Sequence, residues 1–320
     1  MKRLMHIIVA YSALWCSIAY AQTYPNRPIR LVVPFAAGGS GDLLGRTVGA
    51  KLAEAWGQQI LIDNRPGAAG TIGATAVARA QADGYTFLFA EGSSMSIAPH
   101  IQKPLPFDPE RDFDPVIQIA RIELVLTVHP SVPATNLNEL IALLKSNPGK
   151  MSYASAGIGS IHHLSMEWLK KLAGVDIVHV PYKGSGQILP DVISGQVPIT
   201  YTGFAQTIPY IRAGQLKAIA LGGPQRLATA PGVAPIAETF AGFNGTTSWS
   251  LVAPAGTPRE IILKLNAEIN RILSIPEVYE RLISQELVPV GGSPEQLGSR
   301  MKSDYVMWGK IIQQIGLKAE

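Results

Sequence analysis

The chain has 320 residues, room for about two domains. Hydrophobic residues make up 47% of it and charged residues only 16%, with a net charge of +4; a disordered chain would need the opposite balance. No interior apolar run reaches the roughly 18 residues of a membrane span and no Lys/Arg run marks a nucleic-acid surface, so a polytopic membrane protein and a nucleic-acid binder are both set aside.

The N-terminus reads as an address. Met1-Lys2-Arg3 is basic, Leu4 to Tyr20 is apolar, and Ala19-Tyr20-Ala21 is an A-x-A pattern. This predicts a signal peptide, residues 1–21, cleaved after Ala21 to leave Gln22 first. A retained membrane anchor is the alternative. Bulky Leu14 and Trp15 before Cys16 argue against a lipoprotein anchor. Cleavage removes Lys2, Arg3 and the single cysteine, so the mature chain keeps a charge of +2. It has no thiol for a disulfide, a metal or a nucleophile.

In the mature chain, Ile29–Phe35 is a short apolar run typical of a strand, Ala36–Gly41 a Gly/Ala/Ser loop, and Asp42–Trp56 a helix stopped by Gly57. Strand Ile60–Asp63, a loop over Arg65–Gly70, helix Thr71–Ala80 and strand Tyr85–Ala90 follow. Pro104–Pro115 reads as irregular. The same grammar restarts at strand Leu124–Val128. It runs through helix Leu137–Ser146, strand Met151–Ala154, loop Ser155–Gly159, helix Ser160–Leu172, strand Ile177–Val180, helix Gln187–Ser194, and strands Val197–Thr202 and Leu216–Leu221. Trp249–Ala253 is one more strand. Strand, loop and helix in alternation predict two α/β units with largely parallel strands. Thr257-Pro258-Arg259-Glu260 and Ser293-Pro294-Glu295-Gln296 both have capping-box form, and each should open a helix that packs back onto an existing sheet.

One device occurs in both units. Pro34–Asp42 (PFAAGGSGD) and Ala154–Ser160 (ASAGIGS) each join a strand to a helix through glycines and serines. Such turns bare backbone N–H groups at a helix start, where the dipole favours an anion. Two lobes facing each other with these turns would hold a small anion between them; ordinary tight strand-to-helix turns are the alternative. Enzyme motifs are incomplete. Asp42 stands where G-x-S-x-G needs its last glycine, Gly157–His162 lacks the third glycine of a dinucleotide fingerprint, and there is no P-loop. His163 and Glu167 share a helix face beside His162, but a metal needs further ligands, so neither a metal nor a cofactor is expected. Tyr182 could offer a ring and a hydroxyl, and Lys183 reads as a solvated strand exit.

The order of VPFAAGGSGD (33–42), DNRPGAAGTIGA (63–74), HVPYKG (179–184), IRAGQLKAIAL (211–221), APAGTP (253–258) and PVGGSPE (289–295) resembles the tripartite tricarboxylate transporter solute receptors, also called Bug-type receptors, over essentially the whole mature chain. The resemblance implies a two-lobed periplasmic-binding-protein type II fold, the Venus flytrap, with two crossing hinge strands. The crossings would fall near Glu123–Val125 and Ser250–Val252. Residues 22–123 and 252–320 would form lobe 1, and 124–251 lobe 2.

It further implies a periplasmic receptor, not an enzyme, that works as a monomer, takes a small organic acid and serves a permease of the tripartite tricarboxylate type or a sensor. The cleft residues it implies are Phe35, Ala37, Gly38, Gly39, Ser40 and Asp42 in the first turn, with Ser93 and Ser94 beside them. In the other lobe they are Ala156, Gly159, Ser160, His163, Tyr182 and Thr202. Three positions depart from the family pattern: Ala37 where proline is common, Glu91 where a small or hydroxyl residue is usual, and Thr202 where many members carry Asp. With Thr202 unable to neutralise an ammonium, the expected ligand is an acid without an amine, and Ser160 is expected to help hold its carboxylate. An exported α/β hydrolase or lyase built on the same turns is the alternative.

Overall fold

Fully buried apolar strands set the architecture. Ile29, Leu31, Val32 and Val33 are all solvent-free, as are Phe87, Leu88 and Phe89. Strands covered on both faces need helices on both sides, which is the condition for parallel sheets. The computed structural model describes residues 24–182, 187–285 and 287–317. The expected signal peptide, its cleavage point, Lys183 and Gly184 lie outside the described residues.

The first unit runs β1 (Ile29–Val33), α1 (Ser40–Trp56), β2 (Ile60–Asn64), α2 (Thr71–Ala78), β3 (Thr86–Glu91), a wide helical turn over Ser93–Ile97, α3 (Ala98–Ile101) and β4 (Phe113–Ile122). The second holds β5 (Leu124–Val128), α4 (Leu137–Ser146), β6 (Ser152–Ser155), α5 (Ile161–Ala173), β7 (Val178–Pro181), α6 (Ile188–Ile193), β8 (Ile199–Gly203), α7 (Phe204–Arg212) and β9 (Lys217–Leu221). The chain then returns through β10 (Thr247–Pro254), α8 (Arg259–Leu273), α9 (Pro276–Ile283), β11 (Leu287–Gly291) and α10 (Pro294–Ile315).

These strands form two mixed sheets, ordered β11-β4-β10-β3-β1-β2 and β7-β6-β8-β5-β9. In the first sheet β1 lies parallel to β2 and β3, while β10 is antiparallel to both β3 and β4. In the second, β6 is parallel to β7 and β8, and β5 antiparallel to β8 and β9.

The chain passes from β4 to β5 through the single residue Glu123. On the return, β10 pairs with β4 from Thr247 and with β3 from Trp249 onward. Trp249 and Leu251 are buried in this sheet. The two passages are stapled together. The buried Glu123 carboxylate accepts the Gly223 N–H, and Gly245 N–H donates to Gly222 O at 2.9 Å. Tyr201, fully buried, donates its hydroxyl to Gly245 O at 3.0 Å. A Cβ on Gly222 would lie 1.9 Å from that hydroxyl oxygen, so only glycine fits there.

The second capping box is formed: Ser293 accepts from Gln296 N–H, and the Gln296 side chain accepts from Ser293 N–H. The first is not. Pro258 occupies the cap position and the Thr257 hydroxyl donates instead to Pro254 O. α10 packs on β4 and also reaches the second unit, where Trp308 meets Trp168 of α5 edge-on at 6.3 Å.

Candidate functional site

α1 starts at Ser40 because Gly38, at φ 86°, turns the chain out of β1 without steric cost. Asp42, in the first turn, draws the loop onto the helix. Its buried carboxylate accepts Gly38 N–H and Arg46 Nε–H, each at 3.0 Å. Burial alone would raise its pKa, but the Arg46 and Gly38 bonds outweigh that and hold it below the ordinary carboxylate range. Ala37 and Gly38 remain exposed and Phe35, Gly39 and Ser40 half-buried, so the loop's outer backbone is open.

An aromatic wall backs this turn. Trp249 of β10 donates its indole N–H to Ser40 Oγ at 3.3 Å and meets Phe35 edge-on at 5.6 Å. A Cβ on Gly41 would fall 2.3 Å from the indole, and one on Gly70 3.3 Å from Ser94 Cβ and 3.5 Å from the Phe35 ring. The structure thus brings Phe35, Ser40, Gly70, Ser94 and Trp249 into one cluster. The adjoining loop is strained: Gly67, Ala68, Ala69 and Gly70 all have positive φ, at 127°, 48°, 52° and 92°. Two alanines in the left-handed region cost about 1–2 kcal/mol each. The Thr71 hydroxyl and the Gln102 amide both donate to Ala68 O and hold it there.

Ser93 and Ser94 are buried, and their polar groups face inward. Ser93 N–H donates to Glu91 Oε2 at 2.9 Å and the Ser94 hydroxyl to Glu91 O at 2.9 Å. The other Glu91 oxygen accepts the Thr247 hydroxyl. Burial raises the Glu91 pKa, against the pull of these bonds. Glu91 is therefore a paired internal carboxylate that ties β3 to the start of β10.

In the second unit, the turn into α5 is held by side chains. Ser160 caps the helix: its oxygen accepts His163 N–H at 3.3 Å while its proton goes to Gly157 O at 2.7 Å. His163 Nδ1 accepts Gly159 N–H at 3.2 Å. Ser155 Oγ accepts Gly157 N–H at 3.2 Å and sits 2.6 Å from His179 Nε2. The Ser160 hydroxyl, expected to hold a ligand, is thus occupied in capping. The N–H groups of Ile161 and His162 belong to the first turn, which has no intrahelical acceptors for them. α5 has no acid in its first turn, unlike α1. His162 turns its Nδ1 into the protein, where it has no hydrogen-bond partner among the described residues, and burial lowers its pKa to about 4.

Tyr182 stands over Gly157, whose Cβ would lie 3.1 Å from Tyr182 O, but its hydroxyl donates to Asp191. Ala156 is half-buried on the same turn. Thr202 lies in β8 with no exposed surface, its Oγ1 3.5 Å from Gln206 Oε1. The turn into α5 packs on the first unit at Gly159, where a Cβ would come within 2.3 Å of Ile101 Cδ1 on α3. Trp249 and the Gly67–Gly70 strain were missed from the sequence. A lone Trp in a strand gives no sign of a partner 209 residues away.

Among the described residues, no group of three or more His, Cys, Asp or Glu side chains is placed to hold a metal, and no helix is long and apolar enough to cross a membrane. A family model described as the tripartite tricarboxylate transporter family receptor matches residues 44–317. Protein BugT of Bordetella pertussis is 32% identical over 323 residues, covering 99% of each chain. The solved structure of R. palustris Rpa4515 with adipate is 34% identical with a TM-score of 0.87, covering 93% of this chain and all of that one. MatC (Rpa3494) from Rhodopseudomonas palustris with bound malate is 31% identical with a TM-score of 0.82, covering 90% and 100%.

Proposed function

Since the chain belongs to the tripartite tricarboxylate transporter receptor family, we propose that it is an exported receptor that closes its two lobes on one small organic carboxylate and hands it to a tripartite tricarboxylate permease. The fold is the two-lobed periplasmic-binding type. Members of this family are solute-binding receptors, so the hydrolase or lyase alternative is dropped. Adipate in Rpa4515 and malate in MatC support an aliphatic dicarboxylate as the ligand.

The observation that carries the reading is the pair of strand-to-helix turns, one in each unit, the second of which packs on the first unit where Gly159 meets Ile101. We assign the ligand to these turns. Ser40 and the backbone from Ala37 to Gly39 serve one end, and the N–H groups of Ile161 and His162 the other. Phe35 and Tyr182 provide the side walls. The mature chain starts at Gln22 after cleavage and acts as a monomer in the periplasm.

Native mass spectrometry of protein purified without refolding, paired with thermal shift in adipate, malate and succinate, tests this. The expected result is a co-purified acid, or stabilisation by at least one of the three. No bound acid and no shift with any of them would sink the reading.

A further inference from the structure

Ser40 is the first residue of α1, and Gly39 before it supplies no side-chain cap. The Ser40 oxygen receives the Trp249 indole N–H at 3.3 Å. An indole N–H can only donate, whereas a hydroxyl has one proton to give and two lone pairs. The contact therefore has one direction. Ser40 accepts from Trp249, and its own proton is left to point elsewhere. At a helix start that favours anions, the matching acceptor is a carboxylate oxygen.

The indole has little freedom to adjust. It is 3% exposed, with Phe35 edge-on at 5.6 Å and Phe89 tilted against it at 5.7 Å. α1 can approach it only because residue 41 is glycine. Its strand is paired on both sides, with Trp249 opposite Glu91 in β3 and Ala120 in β4. That strand is also the one by which the chain returns from the second unit.

We propose that Trp249 is a positioning residue for the solute: acting through Ser40, it occupies one lone pair of that hydroxyl, holds its orientation and leaves its proton for a carboxylate oxygen at the start of α1. This rests on the receptor reading above and deepens it by naming the group that sets the polarity of the first turn. A carboxylate oxygen, which can only accept, finds there a proton that Trp249 does not compete for.

The test uses calorimetry with adipate and malate, together with indole N–H resonances of ¹⁵N-labelled protein. The proteins are wild type, Trp249→Phe, Ser40→Ala, Ser40→Thr and the Trp249→Phe/Ser40→Ala double variant. Trp249→Phe keeps a ring and loses the donor, so affinity should fall about three- to tenfold, the worth of one ordinary hydrogen bond. Ser40→Ala should lose a similar factor, the double variant no more than either single one, and Ser40→Thr should retain affinity.

The Trp249 indole resonance, assigned by its disappearance in Trp249→Phe, should move in Ser40→Ala and stay near its place in Ser40→Thr. Losses that multiply in the double variant overturn the proposal, as does an indole resonance indifferent to Ser40→Ala. If neither acid binds wild type, the ligand class is wrong, and the resonance still decides whether Trp249 sets Ser40. Should Trp249→Phe fail to fold, as a melting curve would show, Ser40→Ala and Ser40→Thr carry the decision.

Discussion

The imidazoles of His163 and His179 lie face to face, 4.1 Å apart and 17° from parallel, directly behind the turn into α5. Each braces that turn, one through Gly159 N–H and the other through Ser155. Burial holds both pKa values down, that of His179 to about 4, with His163 beside it adding to the effect. A base with a lower pKa in the folded state binds fewer protons folded than unfolded. Stability is therefore complete above the unfolded value near 6.5 and is lost as pH falls toward 4. The melting temperature should drop by several degrees across that window, and by less in His179→Gln. An identical pH slope in the variant would remove the pair as the cause.

Ser160 distinguishes capping from ligand contact. Ser160→Ala removes the acceptor for His163 N–H and should cost about 1 kcal/mol of stability, with less than about a tenfold loss of affinity. Ser160→Asp should keep the cap and the melting temperature but abolish carboxylate binding, because it places a fixed negative charge at the same helix start. Melting curves and calorimetry on both variants check this. A Ser160→Asp protein that still binds adipate or malate would move the ligand away from α5.

Glu91 bears on the choice between amino acids and their deaminated analogues. Its carboxylate is buried and already accepts Thr247 and Ser93, so it is not free to receive an ammonium. Thr202 is equally enclosed. Succinate should stabilise more than aspartate, and malate more than any amino-acid counterpart, in a thermal-shift panel. Consistent preference for the amine-bearing member, lost in Glu91→Gln, would reverse this conclusion.

The stapled passage makes a packing prediction. Gly222→Ala drives a methyl into the Tyr201 hydroxyl and should destabilise by about 1–3 kcal/mol. Tyr201→Phe removes that oxygen, so combining the two should recover part of the loss. Urea melts of the two single variants and the double variant measure it. Strict additivity would mean that the methyl is accommodated elsewhere.

The sequence carried the parts of the fold whose signals are local. Leu124–Val128 and Leu137–Ser146 match the structure residue for residue, because an unbroken apolar run and an Asn-capped helical period need no distant partner. Asp114 and Pro115 place the start of β4 inside a stretch whose composition reads as irregular. Its order comes from β10 and β11 on its two sides. β11 contains Pro289 and is an edge strand, where a missing N–H costs little. α7 carries Pro209 inside it, which hides the helix from its sequence pattern.

The site was legible as two glycine turns. What the sequence could not reveal was which hydroxyls are occupied: Ser160 by its own helix, Ser94 by Glu91 O, and Tyr182 by Asp191. Those assignments depend on angles and neighbours rather than residue types.

The place of β10 also dictates an order of events. β3 and β4 are made early yet do not touch, because a strand from residues 247–254 separates them. The first sheet therefore stays incomplete until most of the chain has been synthesised, while the second, drawn from residues 124–221, has all its strands beforehand. A late keystone delays closure of the first sheet. A chain ending at residue 246 should accordingly show slow amide exchange only within residues 124–221; protection of β1 and β3 in that fragment would show that the early strands need no keystone.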